Sequence, residues 1–505
     1  MRLHPGFDDF AKAYNEGKPQ AVWTRLIADL ETPVSAMLKL GADKPMSFLL
    51  ESVEGGAVRG RYSVLGFDPD IIWRATGDEA EINRNPARSP NKFTKCKGGT
   101  LKALRALLDE SRIDLPDSLP PMALGVFGYM GYDTVRLIEK LPEPNPDPIG
   151  IPEAVMIRPT LMAIFDNVKD EITVVTPVRP NKTLSAKAAY SRALDRLNAI
   201  CDELDKPLAH AGAPNGADID FPKAVSNTTP KQYAAMVRKA KKYIAAGDIF
   251  QVVLSQRYSA PFDLPPFTLY RALRRVNPSP FLYFLNFGDY AIAGSSPEIL
   301  VRARQGQVTI RPIAGTRPRG NTPEEDRAMA EELLADEKER SEHLMLLDLG
   351  RNDVGRVAKL GTVRVTDSFF LEYYSQVMHI VSNVTGELSD EHDAVDALMA
   401  GFPAGTVSGA PKVRAMEIID ELEKEKRGLY AGCVGYFSAT GDMDSAIVLR
   451  TSLIKDGTMY VQAGAGIVAD SIPENELREC EAKAGALFRA AEEAVRFASQ
   501  NGRGQ

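Results

Sequence analysis

The sequence predicts an α+β fold built on large antiparallel β-sheets. Runs rich in β-branched and aromatic residues are joined by very short turns, such as Thr440-Gly441-Asp442 and Asp456-Gly457. Parallel strands need a long crossover connection, so strands joined by turns this short must be antiparallel. Helical patterns occur beside these groups of strands in both halves of the chain, which makes the class α+β.

The individual elements follow from local composition and periodicity. In the first half, two β-rich runs flank a turn at Asp166-Asn167. The last helix opens with a capping box, Ser471-Ile472-Pro473-Glu474. Strands are predicted at 160–165, 171–175, 281–287, 290–293, 299–303, 430–437, 445–454 and 458–462, and helices at 231–246, 323–334, 337–349 and 473–497.

Length and composition exclude several classes of protein. The chain has 505 residues, of which 44% are hydrophobic, and its formal net charge of -7 gives no basic surface for nucleic acid. Its four cysteines lack the spacing of a zinc site or a disulfide framework, which indicates a reducing compartment. The start of the chain has no apolar signal segment, and no apolar run has membrane length. We therefore expect a cytoplasmic protein that binds neither nucleic acid nor membrane.

One shift in composition divides the chain. Residues 206–222 are polar and rich in turn-forming residues, and they follow a helical pattern that ends near Leu204. We interpret this segment as a linker between an N-terminal region, residues 1–205, and a C-terminal region, residues 223–505. Neither region shows an internal repeat.

The most informative segment is a loop of small residues that we expect to lead into an amphipathic helix ending near 427–428. Gly405 and Gly409 let the backbone approach a ligand closely, and Pro411 suits the first turn of a helix. The hydroxyls of Thr406 and Ser408 and the free N–H groups of the helix start favour an anion. The loop is a candidate cradle for a small carboxylated or phosphorylated substrate, although an ordinary glycine turn with an N-cap has the same composition. The sequence of the loop is Phe402-Pro403-Ala404-Gly405-Thr406-Val407-Ser408-Gly409-Ala410-Pro411-Lys412.

Three acids on two predicted helices could hold a metal ion. Glu476 and Glu479 share one face of the last helix, and Lys483 lies one turn beyond Glu479. Glu342 lies in a helix whose other face is heavily apolar. Carboxylates from two helices can bind a hard cation that keeps several water ligands, as Mg²⁺ does. The alternative is that Glu476 and Glu479 only complement a helix N-terminus and that Glu342 is an exposed acid paired with an arginine.

Four further features could carry chemistry. His379 lies in an apolar β-like run, where it is either a catalyst or a satisfied core residue. Glu298 follows Gly294-Ser295-Ser296-Pro297 at a strand start, where an acid is either a turn cap or a positioned proton donor. Arg450 interrupts an apolar run, facing inward to an anion or outward to water. Gly464-Ala465-Gly466 ends a predicted strand and would let a ligand touch the main chain. Each has an ordinary explanation, but together they indicate an active site.

In their order and spacing, nine segments of the chain resemble the chorismate-utilising enzymes. The resemblance is dense over about residues 225–490, and in the first half it rests on Leu49-Leu50-Glu51-Ser52 and Phe127-Gly128-Tyr129. The segments are Gly247-Asp248-Ile249-Phe250-Gln251-Val252-Val253, Gly294-Ser295-Ser296-Pro297-Glu298, Pro312-Ile313-Ala314-Gly315-Thr316-Arg317-Pro318-Arg319-Gly320, Ser341-Glu342-His343-Leu344-Met345, Asp348-Leu349-Gly350-Arg351-Asn352-Asp353, Val377-Met378-His379, the loop at 404–412, Gln462-Ala463-Gly464-Ala465-Gly466 and the run from Glu479 to Lys483.

The resemblance implies two large antiparallel sheets packed as a sandwich with helices on the outside, and a magnesium-dependent, chorismate-binding catalytic region at 223–505. It implies that Glu342 and Glu479 hold Mg²⁺ with Glu476 nearby. It also implies that Glu298 protonates the departing ring hydroxyl while ammonia adds to the ring, and that His379, with Thr406 nearby, serves the later loss of pyruvate. The substrate contacts that it implies are Gly315, Thr316, Tyr430, Arg450, Gly464, Ala465 and Gly466.

Two positions distinguish members of this family. Members that add water carry a lysine where this chain has Gln251, and members that form aminodeoxychorismate carry one where it has Ala314. Ammonia needs no such base, and Gln251 would orient it by hydrogen bonding. The resemblance therefore implies amination of chorismate and elimination of pyruvate to give anthranilate, the first step of tryptophan biosynthesis. One alternative is an aminodeoxychorismate-forming enzyme, which Ala314 and the segment Leu49–Ser52 disfavour. The other is a non-catalytic chorismate- or tryptophan-binding regulator, which the presence of Glu342, Glu476 and Glu479 disfavours.

Two partners are expected besides the substrate. Cys433, in Gly432-Cys433-Val434-Gly435-Tyr436, lacks the glutamine and the strand–turn–helix context of a glutaminase nucleophile. We therefore expect a separate glutaminase subunit that delivers ammonia, and hence a hetero-oligomer. The resemblance also implies feedback inhibition by L-tryptophan through the N-terminal region, at a site that combines Ser52 with Pro280, Phe281 and Leu282. The alternative is that Ser52 ends a strand and that the prolines only shape a loop.

Overall fold

The computed structural model describes residues 2–54, 58–208, 223–374 and 377–499, and every strand pairing within them is antiparallel. The strands are β1 (Gln20–Ile27), β2 (Ser47–Glu54), β3 (Val58–Thr76), β4 (Glu79–Asn83), β5 (Thr94–Lys95), β6 (Gly125–Met130), β7 (Ala154–Asp166), β8 (Glu171–Val178), β9 (Val225–Ser226), β10 (Gln251–Pro261), β11 (Phe281–Asn286), β12 (Tyr290–Ser296), β13 (Ile299–Arg304), β14 (Gln307–Ile310), β15 (Ile313–Pro318), β16 (Arg364–Tyr373), β17 (Val377–Glu387), β18 (Gly409–Ala410), β19 (Cys433–Ser438), β20 (Met443–Ile447), β21 (Thr451–Lys455) and β22 (Thr458–Ile467).

Helices surround these strands. They are α1 (Phe7–Asn15), α2 (Pro33–Leu40), α3 (Thr100–Ser111), α4 (Ala186–Leu204), α5 (Pro230–Ala245), α6 (Pro266–Val276), α7 (Pro323–Ala335), α8 (Glu337–Gly355), α9 (Ala394–Gly401), α10 (Gly405–Ser408), α11 (Lys412–Leu422) and α12 (Pro473–Ser499), with a 3₁₀ turn at Tyr132–Leu137. The helices predicted at 231–246, 323–334, 337–349 and 473–497 correspond to α5, α7, α8 and α12, and α8 continues to Gly355. Across the described ranges, no helix is both long enough and apolar enough to span a membrane.

Two sheets share the long strands β3 and β7. The first part of β3 pairs with β2 and its last part with β4, while β7 pairs with β6 near its start and with β8 near its end. Their mutual register shifts between Pro69 and Ile71, where the strands pass from one sheet to the other. The first sheet has the order β1-β8-β7-β3-β2-β11-β12-β21-β22-β10, and the second has the order β5-β4-β3-β7-β6-β19-β20-β13-β14-β17-β16.

A small hydrophobic cluster packs Leu333 of α7 against Met378 of β17, and three larger clusters fill the layers of the molecule. One lies between the two sheets and combines Phe48 and Ile292 of the first with Phe127 and Val434 of the second. Another packs α1, α2, α4, α6 and α12 against the first sheet, and the third packs α3, α8, α9 and α11 against the second sheet. The structure thus confirms the predicted α+β sandwich with helices on the outside.

The N-terminal and C-terminal regions contribute strands to the same sheets. Strand β2 pairs with β11 in the first sheet, and β6 pairs with β19 in the second. The described parts of the two predicted regions therefore share both sheets and the core between them. Most of the predicted linker, residues 209–222, lies outside the described residues.

Three predicted elements differ from the structure in ways that affect the site. The run at 445–454 is two strands, because β20 belongs to the second sheet and β21 to the first. Arg450 lies in the crossing between them with a positive φ of 48°, so it is not a strand residue. Gly464-Ala465-Gly466 lies within β22, which continues to Ile467 in register with β10. The helix after the 402–412 loop ends at Leu422, well before 427–428.

Candidate active site

Gln251 opens β10 at the centre of the predicted site. Its neighbours leave little space: a Cβ atom on Gly466 would lie 2.5 Å from Gln251 Nε2, and one on Gly409 would lie 2.2 Å from the Gln251 carbonyl oxygen. Gln251 Nε2 donates a hydrogen bond to Glu342 Oε1 at 3.1 Å. The other amide atom, Oε1, is buried and has no hydrogen-bond partner among the described residues. An unpaired buried acceptor is costly unless a ligand supplies a donor.

The three predicted metal acids lie on two helices that interact electrostatically. Burial raises the pKa of Glu342, and the hydrogen bond from Gln251 lowers it. The negative charges of Glu339 and Glu479 raise this pKa further. Burial likewise raises the pKa of Glu476, with a further contribution from Glu479. Glu479 is exposed and forms a 2.7 Å ion pair with Lys483, whose ammonium group also donates to the Gly464 carbonyl at 2.9 Å. Carboxylates thus converge from α8 and α12.

This donor set fits Mg²⁺ in an open site. In the described part of the chain, no three or more His, Cys, Asp or Glu side chains are grouped so that they could hold a metal ion by themselves. Mg²⁺ commonly uses only one or two carboxylates and completes its octahedron with water and substrate oxygens. The negative charge of Glu479 contributes to the raised pKa of both Glu342 and Glu476, and a cation would relieve this repulsion.

Glu298 is the buried acid of the site. Its side chain is 7% exposed, and burial raises its pKa to about 8, opposed by a hydrogen bond from Thr406 and by the charge of Arg450. Thr406 Oγ1 lies 3.1 Å and 3.2 Å from the two carboxylate oxygens. Glu298 is therefore protonated at neutral pH and can donate a proton.

Arg450 lies at the back of the site, where the chain crosses between sheets. Burial lowers its pKa, while the nearby Tyr374 and Glu298 raise it. Its guanidinium forms no hydrogen bond with any residue that the structure describes, although both Glu298 and Tyr374 lie close enough to interact. Arg450 is half-buried, and a guanidinium that lacks a partner among the described residues is a strong site for a carboxylate. Of the two orientations open from the sequence, the structure has Arg450 facing inward.

His379 is held as a neutral imidazole. It lies on β17 opposite Thr316 of β15, and its Nδ1 is 3.0 Å from both the Gly315 carbonyl oxygen and Thr316 Oγ1. Because a carbonyl can only accept, Nδ1 carries the proton and Nε2 is left as the basic atom. Burial lowers the pKa of His379 to about 4, with smaller opposing effects from Gly315 and Glu372. His379 is thus buried like a core residue, but its Nε2 remains available to accept a proton.

The 402–412 loop serves the site through one hydroxyl. Thr406 reaches Glu298, but Ser408 Oγ donates back to the Ala404 carbonyl at 2.8 Å and is not available to a ligand. Pro411 is the N-cap of α11 and lies just before the first helical turn. Lys412 forms a buried 2.9 Å ion pair with Asp353 of α8. The structure therefore shows a loop that positions Thr406, and it does not present both hydroxyls as a cradle.

A buried ion pair fixes this loop to β10. Arg427 lies 2.6 Å from Glu423 and donates 2.7 Å hydrogen bonds to the carbonyls of Val407 and Val253. Glu423 in turn accepts from the backbone and the hydroxyl of Ser255, both at 2.8 Å. These long-range partners draw Glu423 into the core and end α11 at Leu422. The sequence does not reveal this because no local pattern marks the pair.

Tyr430 and the glycines of β22 complete the substrate side. A Cβ atom on Gly464 would lie 2.8 Å from the Tyr430 hydroxyl and 2.9 Å from the Leu254 carbonyl, so only glycine permits this approach. Tyr430 is buried, and both Glu423 and Glu479 contribute to its raised pKa. Gly315 has a positive φ of 72° at a register shift between β15 and β17, which turns its carbonyl towards His379. The predicted substrate-binding residues thus lie around the same group of acids.

The predicted tryptophan residues line a separate cavity of about 800 Å³ between the sheets. Ser52, Pro280, Phe281 and Leu282 all border it, and Ser52 pairs with Phe281 in register. Ser52 Oγ donates to the Tyr62 carbonyl at 3.0 Å. The cavity also has members that sequence reasoning missed: Glu51, Arg302, Arg304, Arg311, Glu372 and Tyr374.

Only one of these missed residues had a local signal. Glu51 follows the apolar run Phe48-Leu49-Leu50, and a carboxylate in such a strand indicates a buried partner. Arg274 is that partner and donates two hydrogen bonds to the Glu51 carboxylate, at 2.8 Å and 3.0 Å. The Tyr270 hydroxyl donates a third. The remaining five come from distant parts of the chain that only the fold brings together.

Comparison with known proteins identifies the family. Residues 57–489 match the chorismate binding enzyme family, and the chain belongs to it. Within that family, the following relatives are named anthranilate synthase component 1. The one from Cereibacter sphaeroides is 56% identical over 499 residues, covering 99% of each chain, and the one from Pseudomonas putida is 47% identical over 478 residues, covering 92% of this chain and 93% of the relative. The crystal structure of anthranilate synthase component I from Streptococcus pneumoniae TIGR4 matches with a TM-score of 0.76 and 39% identity, over 92% of this chain and 99% of that one.

The buried pair Arg427–Glu423 gives a test of how the site is supported. We expect Arg427→Ala to lower the free energy of unfolding by about 3–5 kcal/mol, because it leaves Glu423 as an unpaired buried charge. Urea denaturation followed by circular dichroism measures this change. Arg351→Ala is the control, since Arg351 pairs with Asp348 on the exposed surface of α8 and should change stability little. Equal losses in the two variants would contradict the role assigned to Arg427.

Proposed function

We propose that this chain is the large subunit of an anthranilate synthase, which aminates chorismate with ammonia and then eliminates pyruvate to give anthranilate. The observation that carries the proposal is Glu298, a buried carboxyl whose pKa is raised to about 8 and which lies beside Arg450, a guanidinium without a hydrogen-bond partner among the described residues. A protonated acid and a cation together suit a substrate that carries carboxylates and must lose a hydroxyl group. The relatives named anthranilate synthase component 1 support the choice of product.

The first step would use Glu298 and Gln251. Glu298 gives its proton to the departing ring hydroxyl, which leaves as water, while ammonia forms the new bond to the ring. The free Gln251 Oε1 accepts a hydrogen bond from ammonia and so directs its lone pair, but an amide cannot remove a proton. Thr406 holds Glu298 through both carboxylate oxygens.

The second step would use His379. Its free Nε2 takes the ring proton, and the electron pair of that C–H bond completes the aromatic ring as the enolpyruvyl C–O bond breaks. The bond's electrons leave with enolpyruvate, which takes a proton from water to become pyruvate. The Gly315 carbonyl holds the tautomer that this step needs. Arg450, Tyr430, Thr316 and the β22 glycines would bind the remaining substrate groups.

Glu342 and Glu479, with Glu476 nearby, would hold Mg²⁺. When bound, the ion supplies a Lewis acid that neutralises a substrate carboxylate in a site already crowded with acids. Gln251 links this part of the site to the nucleophile because its Nε2 donates to Glu342.

Ammonia would come from a separate glutaminase subunit, so the working enzyme would be a hetero-oligomer. We place it in the cytoplasm. Burial raises the pKa of all four thiols, to about 12 for Cys433 and to about 11 for Cys480. A glutaminase nucleophile needs a thiolate, which these environments disfavour. This chain therefore has no cysteine suited to release ammonia from glutamine.

L-Tryptophan would act as the feedback inhibitor by binding at the Ser52 end of the cavity. The space is mostly apolar around Phe281 and Leu282, and Glu51, which accepts hydrogen bonds from Arg274, lines the same cavity. An apolar cavity with a few polar groups suits an indole that carries an amino-acid head. Inhibition would follow if tryptophan prefers one of two states of the protein.

An aminodeoxychorismate-forming enzyme is the second candidate. Ala314 is buried opposite Ile380 in the β15–β17 pair, so no amine reaches the ring from this position. A covalent adduct between the enzyme and the substrate should therefore not accumulate. A trapped adduct would favour the second candidate.

The first test compares nitrogen donors. We expect the highly purified chain, given chorismate and Mg²⁺, to form anthranilate and pyruvate from ammonium salts but not from glutamine, followed by anthranilate fluorescence. Gln251→Lys should weaken the ammonia reaction and admit some water addition, because the amine can act as a base. Glutamine-dependent anthranilate from the single chain would overturn the requirement for a glutaminase subunit.

The second test is the pH profile of the ammonia reaction. Neutral ammonia becomes more abundant as pH rises, so the rate should climb at first. It should fall again above about 8, where Glu298 loses the proton that it must donate. Glu298→Gln should lower kcat by about 10²–10⁴-fold, because an amide cannot supply that proton. A rate that keeps climbing with pH would show that Glu298 is not the acid.

The third test addresses the metal. We expect Glu342→Gln and Glu479→Gln each to nearly abolish turnover at sub-millimolar Mg²⁺, because each removes a charged ligand. Steady-state rates over a range of Mg²⁺ concentrations measure this. Asp348→Asn is the control: Asp348 is an exposed acid of α8 that pairs with Arg351 outside the site. Full activity in both glutamate variants would rule out the metal assignment.

A further inference from the structure

The cavity between the sheets and the active site share one wall. Pro297, Ile313 and Tyr374 line the cavity. Each belongs to a segment that also supplies the active site: Glu298 follows Pro297, β15 carries both Ile313 and Thr316, and Tyr374 packs on His379. The same cavity extends without interruption to Ser52 and Phe281. A ligand in the cavity therefore lies one layer of residues away from the catalytic groups.

Tyr374 is the residue in this wall that touches both sides. Its side chain is 7% exposed, and its ring meets the His379 imidazole edge to face with 5.4 Å between ring centroids. Its hydroxyl donates a 2.8 Å hydrogen bond to Glu372 Oε2. Glu372 forms an ion pair with Arg311, and both of these side chains line the cavity. One side chain thus connects a cavity ion pair to the catalytic imidazole.

The backbone of Tyr374 is fixed independently of its ring. Its N–H donates to the Val377 carbonyl at 2.8 Å, and its own carbonyl accepts from Arg319 at 2.7 Å. Glu372 lies opposite His379 in the β16–β17 register. A change in the Glu372–Arg311 pair would therefore be transmitted through the Tyr374 side chain, because the main chain around it is held in place.

We infer that Tyr374 is a positioning residue for His379 and couples occupation of the cavity to the second catalytic step. This rests on the proposed function, in which tryptophan occupies the cavity. The ring keeps Nε2 of His379 directed at the substrate as long as its hydroxyl is held by Glu372. A cavity ligand that engages Arg311 or Glu372 favours a second ring orientation and so slows the removal of the ring proton.

Tyr374→Phe separates binding from coupling because it removes the hydroxyl and keeps the ring. Without tryptophan, we expect kcat for anthranilate to fall severalfold, with KM for chorismate near the parental value. The released share of the aminated intermediate that still carries its enolpyruvyl group should rise, since only the His379 step is weakened. Tryptophan should bind Tyr374→Phe with near-parental affinity in calorimetry. The factor by which tryptophan lowers turnover should be about 5–150-fold in the parent and less than about twofold in Tyr374→Phe.

Three matched variants sharpen this test. Tyr373→Phe removes a hydroxyl from the adjacent cavity residue, which does not pack on His379, and should keep parental inhibition. Glu372→Gln keeps an acceptor for the Tyr374 hydroxyl but breaks the Arg311 pair, so inhibition should weaken in this variant even if Tyr374→Phe folds poorly. Ser52→Phe should lose tryptophan binding itself.

Two results would overturn the inference, and they are distinguishable. If Tyr374→Phe and Glu372→Gln both bind tryptophan and are inhibited as strongly as the parent, the coupling role of Tyr374 is wrong while the tryptophan site stands. If the parent shows no tryptophan binding in calorimetry, the tryptophan site is wrong and this inference falls with it.

Discussion

The buried ion pair between Arg427 and Glu423 connects the two segments on which the active site depends. Through Val407, Arg427 holds the loop that presents Thr406 to Glu298, and through Val253 and Ser255 the pair holds the strand that begins at Gln251. Gln251 in turn bonds Glu342 on α8. Thr406, Gln251 and Glu342 are thus positioned relative to one another by a single network of polar contacts.

Burial of the site has opposite effects on its acid and its base, and both effects are useful. It raises the pKa of Glu298 to about 8 and lowers that of His379 to about 4, so both groups are neutral near pH 7. A neutral carboxylic acid can give a proton and a neutral imidazole can take one. Arg450 remains the cation between them and has no protein partner in the described chain, so the site is suited to an anionic substrate.

The sequence predicted those features that depend on neighbouring residues. Short turns indicated antiparallel strands, a β-like apolar run placed His379 on a strand, and the position of Glu298 after Gly294-Ser295-Ser296-Pro297 indicated an acid at a strand boundary. Arg450 was placed in a strand because apolar residues lie on both sides of it. No local pattern shows that the chain changes sheets there. The early end of α11 and the cavity wall at Tyr374 were missed for the same reason, since their causes are contacts with distant residues.

The mixed origin of the two sheets has a consequence during synthesis. Strand β2 has β11 as a neighbour and β6 has β19, so early strands keep an unpaired edge until much later residues leave the ribosome. Such non-local pairing slows folding and leaves apolar faces such as those of Phe48 and Phe127 exposed in the nascent chain. The protein therefore completes its core only near the end of translation, and this favours chaperone protection of the growing N-terminal part.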